Sequence, residues 1–177
     1  MKRFLRLVWG MVAGSAVFVG AKGGPPSPPG DHALDFWLGD WEVFLASGPK
    51  DGDNRIQQML GGFAVQENWT ELDGREGKSW FYYHGPEKRW KQVWVTDGGG
   101  VKEKAQVADA PTGSVRFRGE SPLRDGRKLL DQTTLTPLPD GRVRQIIEQS
   151  LDGGKTWRTA YDAYYVHKAG KAGSNLP

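Results

Sequence analysis

Short apolar or alternating runs, each closed by a turn that carries glycine, proline or aspartate, follow one another from Leu34 to His167. Segments this short leave no room for a useful helix, and their apolar residues recur every two positions. The first expected strand grows out of the run Phe36-Trp37-Leu38-Gly39-Asp40-Trp41-Glu42-Val43-Phe44-Leu45. Trp41, Val43 and Leu45 share one face of it, and Glu42 and Phe44 share the other. Leu38 and Gly39 read as a tight turn feeding that strand. Glycine there permits close packing or a positive φ. A polar loop is expected over Ser47–Asp53. Further strands are expected over Asn54–Leu60, Phe63–Leu72, Lys78–His84, Trp90–Thr96, Val101–Ala108, Ser114–Gly119, Lys128–Leu135, Val143–Ser150 and Trp157–His167. About ten strands joined in order by short turns predict an all-β fold, an antiparallel up-and-down barrel. Closure of the sheet would also remove aggregation-prone edges. In such a barrel Trp41, with Trp37 beside it, is placed to plug one end.

The flanks read differently. Residues 1–21 have the pattern of a secretory signal peptide: Lys2, Arg3 and Arg6 precede a mostly apolar stretch from Leu7 to Val19 that is short for a membrane span. Cleavage near Ala21 and a periplasmic or secreted location are the expectation. Residues 22–33 are a Gly/Pro-rich linker, the barrel domain occupies 34–167, and residues 168–177 form a small, polar, disordered tail. Glycine and proline make up about a fifth of the chain, as many short strands and turns require. Lys2, Arg3 and Arg6 account for the whole charge excess, so the remainder carries equal numbers of acids and bases. That balance argues against nucleic acid as a partner and against an anionic membrane surface. After leader removal no stable membrane anchor is expected. The chain has no cysteine, which excludes disulfides, thiol nucleophiles and a lipidated cysteine.

Site candidates come from the alternation. Glu67 shares a face with Val65 and Trp69, and Trp90, Gln92 and Trp94 share another. If these faces point inward, the barrel interior holds a carboxylate and several indoles, with Tyr82 and Gln92 able to join Glu67. Burying Glu67 without a partner would be costly. A pocket walled by indoles with a few polar groups suits a small, partly apolar or aromatic ligand. A filled core in which the polar groups satisfy one another is the alternative, and a barrel of this size accommodates either. His32, His84 and His167 are scattered rather than spaced as metal ligands, so no metal and no cofactor is expected. Ser150, Asp152, Gly154, Thr156 and Trp157 match the Asp-box of sialidase-type propellers. A propeller repeats that motif once per blade, and a single copy reads as a stable hairpin turn. Arg116, Arg118, Arg124, Arg127, Lys128, Arg142 and Arg144 interleave with Glu120, Asp125, Asp131 and Asp140, the pattern of a mixed, solvated surface.

Gly39-Asp40-Trp41 resembles the Gly-x-Trp signature of the lipocalin-like (calycin) barrels. The resemblance implies a basic residue of the last strand lying across the tryptophan, and Arg158 is the candidate by position. The longer run Phe36–Val43, with Trp90-Lys91-Gln92-Val93-Trp94 and the Asp-Gly-Trp turn, resembles a group of exported bacterial proteins of unknown function with a lipocalin-like barrel. Nitrobindin-type haem barrels are more distantly similar. They imply an axial histidine on a late strand, for which His167 is the candidate. Three functional readings stand. The first is an exported, non-enzymatic small-molecule-binding protein. The second is a solid barrel that binds a protein or a cell-wall glycan through surface aromatics such as Trp80 and Tyr83. The third is an enzyme using Glu67 as general acid or base.

Overall fold

A computed structural model describes residues 32–168. The leader, nearly all of the linker and the tail beyond Lys168 lie outside the described residues. Ten strands form one closed antiparallel barrel: β1 (Gly39–Leu45), β2 (Lys50–Met59), β3 (Ala64–Glu71), β4 (Glu76–His84), β5 (Arg89–Thr96), β6 (Val101–Val107), β7 (Val115–Pro122), β8 (Lys128–Pro137), β9 (Val143–Ser150) and β10 (Arg158–His167). Each strand pairs with its neighbours in sequence, and β1 closes the ring against β10 through Trp41↔His167 and Val43↔Tyr165. This is the expected up-and-down barrel.

Most boundaries fall within two residues of those expected, and two differ by more. The expected polar loop ends sooner, because β2 begins at Lys50, where a bulge opposite Val43/Phe44 absorbs Asp51. Strand β7 runs on to Pro122, whose missing N–H sits at the strand end. The β6/β7 ladder is short, with only Ala105↔Arg118, Gln106↔Phe117 and Val107↔Arg116 in register.

The two ends of the barrel are built differently. At one end a 3₁₀ turn, Asp35–Trp37, crosses the barrel before β1. Leu34, Trp37 and Trp41 are fully buried there among Val43, Val65, Phe81, Phe117, Leu135, Val143 and Tyr165. The Trp37 ring meets Phe81 edge-on at 5.5 Å and Tyr165 at 5.7 Å. The Trp41 indole N–H donates to the Trp37 carbonyl at 2.9 Å, which ties the plug to its own turn. Removing two indoles from water makes this the dominant apolar contribution, on the order of 5 kcal/mol per ring as an upper bound.

The other end carries the β1/β2, β3/β4, β5/β6, β7/β8 and β9/β10 hairpins. The last of these is the single Asp-box. Asp152 accepts from the Lys155 and Thr156 backbone N–H groups and the Thr156 hydroxyl, and Gly153 and Gly154 take positive φ. The bond from the Thr156 hydroxyl leads the causes that hold the Asp152 carboxyl far below the usual carboxylate range. Trp157 packs under the loop and donates to the Gly154 carbonyl. The motif is a hairpin turn.

Candidate functional site

Inside the hairpin end lies a cavity of about 320 Å³. The barrel is therefore neither wholly filled nor wholly hollow: its plugged half is packed, and its hairpin half is open space. Strand alternation sets the lining. Glu67, Trp69 and Glu71 come from β3, Gln92 and Trp94 from β5, and Lys102 and Lys104 from β6. Thr133 (β8), Gln145, Ile147 and Gln149 (β9), Tyr161 and Tyr165 (β10), and the bulged Asp51 complete it.

Two glycines make room for the indoles. A Cβ on Gly77 would lie 2.9 Å from the Trp94 ring nitrogen, and one on Gly52 would lie 2.8 Å from the Trp69 ring. Each indole thus lies against bare backbone of a neighbouring strand, which keeps it at the wall and leaves the middle of the cavity free. Ile147 adds an apolar face.

The polar groups form two chains. On one wall Asn54 donates to Glu67 Oε1 at 2.8 Å and to the Tyr165 hydroxyl at 3.2 Å. Tyr165 in turn donates to Gln145 Oε1 at 2.9 Å. Burial pushes the Glu67 carboxyl above the usual carboxylate range, against the opposing pull of Ser79, Asn54 and the Lys104 charge. Nearer the mouth, the Tyr161 hydroxyl donates to Asp51 at 2.7 Å, and burial raises the Tyr161 phenol well above its ordinary value.

On the facing wall Lys102 and Lys104 share one carboxylate. Lys102 Nζ donates to Asp131 Oδ2 at 2.9 Å, and Lys104 pairs with Asp131 Oδ1. Lys104 also donates to the Thr133 hydroxyl at 2.6 Å. Burial lowers the Lys104 ammonium from its ordinary value, and the Asp131 charge opposes that. For Asp131 burial works against ionisation, and the two lysines outweigh it and hold the carboxyl low. Between the walls Gln92 donates to the Ser79 hydroxyl at 3.1 Å, while its Oε1 is buried without a partner.

Of the residues expected around a ligand, Glu67, Trp69, Gln92 and Trp94 line the cavity. Tyr82 does not. Ser79 and Phe81 take the inward positions of β4, so Tyr82 points outward and is 42 % exposed, like Trp80. Four consecutive aromatics offer no alternation from which to read a face. Tyr83, expected on the surface, is partly buried and packs against Trp90 instead. Trp90 belongs to the packed half. It is the second residue of β5 and lies four residues, about 13 Å, from Trp94.

At the plug, Trp37, Gly39 and Trp41 sit where expected. Arg158 does not cross the tryptophan: it opens β10 at the hairpin end, exposed and paired in register with Gln149. His167, at the other end of β10, stacks on Trp41 with ring centroids 3.7 Å apart. Its ring also explains Gly39, which has φ +138° and whose Cβ would lie 3.2 Å from His167. His167 is thus engaged at the plug, away from the cavity, which is no position for an axial ligand to a haem held inside. Among the described residues no group of three or more His, Cys, Asp or Glu side chains could hold a metal ion.

Asp131 is a further correction, since it faces the interior rather than a solvated surface. Its surface neighbours in sequence pair locally: Arg127 with Asp125, Lys128 with Glu120, and Arg142 with Asp140. Lys102, Lys104, Thr133, Gln145, Tyr161 and Tyr165 were not anticipated either. The available signal was the register, because Gln92↔Lys104 and Trp94↔Lys102 put both lysines on the same face as residues read as inward. No family model matches the chain, and a comparison with curated proteins gives no match.

Proposed function

We propose that this chain is a small-molecule-binding protein that takes a partly aromatic ligand into the hairpin half of its barrel. The observation that carries the reading is the cavity itself, about 320 Å³, lined by the Trp69 and Trp94 indoles and a few polar side chains. Burying a planar ring against two indoles supplies affinity, and a few fixed polar groups supply orientation. The lipocalin-like resemblance of the Gly39-Asp40-Trp41 triplet agrees with this role, and export through residues 1–21 belongs to the same reading.

Thermal unfolding against a panel of aromatic compounds tests it. A ligand at a hundredfold its Kd should raise Tm by about 5 to 10 °C, and Trp94→Ala should remove the rise. A panel that leaves Tm unchanged throughout contradicts the reading. One observation favours a second: Glu67 is a buried carboxyl, held toward its protonated form, in the wall of a cavity. As a general acid or base it would lose turnover in Glu67→Gln while ligand binding persisted.

A further inference from the structure

The cavity is not evenly polar. Lys102 and Lys104, both on β6, share the single carboxylate of Asp131, so this wall keeps a positive surplus. Each ammonium has three N–H donors. Among the described residues Lys102 gives one to Asp131, and Lys104 gives one to Asp131 and one to Thr133. The Lys104 side chain is 5 % exposed and that of Lys102 is 33 % exposed, and both line the cavity.

The other carboxyls of the lining have partners of their own, so the positive surplus is confined to the β6 wall. Glu67 accepts from Asn54, Asp51 accepts from Tyr161, and Glu71 pairs with Arg75 outside. Lys102 also lies 5.6 Å from the centroid of the Trp94 ring, which puts the surplus charge beside an indole wall.

We propose that the cavity selects an aromatic ligand bearing one carboxylate. The carboxylate takes the free donors of Lys102 and Lys104, and the ring lies against Trp69 and Trp94. This proposal rests on the small-molecule reading above and specifies its ligand class. A charge-assisted contact to two ammonium groups is strong in a desolvated site, and a neutral isostere cannot replace it.

Calorimetric titration of the full chain with indole-3-acetate, indole-3-acetamide and indole separates the possibilities. The acetate should bind at least about tenfold more tightly than the acetamide, a difference of about 1.4 kcal/mol. Lys102→Gln, changed at the more exposed of the two lysines, should bring the two within about threefold of each other. Equal binding of acetate and acetamide by the unaltered chain overturns the carboxylate assignment, as does a preference that survives Lys102→Gln. Binding of indole but not of the acetate overturns it too, and in all three cases the small-molecule reading stands. If none of the three binds, the carboxylate assignment falls, and the Tm panel then decides the cavity reading separately.

Discussion

Glu67 has a hydrogen-bond donor in Asn54 and an attractive charge in Lys104, yet its desolvation outweighs both. The folded state therefore holds the Glu67 proton more tightly than the unfolded chain does. Stability contributed by this group is intact below the ordinary glutamate range, and it falls as pH rises through that range toward the raised folded value. Glu67→Gln keeps the acceptor for Asn54 and removes the charge. Its urea midpoint should equal that of the unaltered chain near pH 4 and exceed it at pH 8. A midpoint at pH 8 equal to or below that of the unaltered chain would show that the carboxylate is stabilising after all. Glu67 was legible in the sequence because it alternates with Val65 and Trp69, so an inward strand face carried it along. Lys102 and Lys104 were not. A lysine pair separated by Glu103 reads as a solvated strand face, and only the pairing of β6 with β5 turns it inward.

At the scale of elements, the turn Asp35–Trp37 and β1 act together as a stopper. Trp41 is buried among Val43 and Tyr165, bonded to Trp37, and covered by His167 from the end of β10. Trp41→Ala would leave a void that a closed barrel cannot collapse, at a cost of about 3 to 5 kcal/mol. His167→Ala removes one stacked ring at the rim and should cost about 0.5 to 1.5 kcal/mol. Equilibrium unfolding of both variants checks the order, and a His167 variant as damaging as the Trp41 variant would contradict it. Ten strands and their sequence were readable from turn chemistry and period-two alternation, since each hairpin carries its own local signal. The covering residue of Trp41 was not readable by position along the chain. Arg158 and His167 belong to the same strand, and only the antiparallel register decides which of them reaches the plugged end. The aromatic run of β4 failed for the opposite reason: every residue from Trp80 to Tyr83 is apolar enough to face either way.

For the whole molecule, the central result is a division of one barrel into two halves. Apolar inward residues cluster at the plugged end, where Trp37, Trp41, Phe81, Phe117 and Leu135 fill the section. Inward polar residues cluster at the hairpin end, where Glu67, Gln92, Lys104 and Gln145 line open space and Asp131 is buried against the two lysines. Neither half is evident from a single strand, because β2, β3, β5, β8, β9 and β10 each contribute residues to both. The most direct measurement is a ¹H–¹⁵N correlation spectrum of the tryptophan indole groups during titration with indole. The division predicts saturable shifts of the Trp69 and Trp94 indole N–H signals, with those of Trp37 and Trp41 unmoved. Signals of Trp69 and Trp94 that stay fixed at every concentration, or a plug that moves as much as they do, would contradict it.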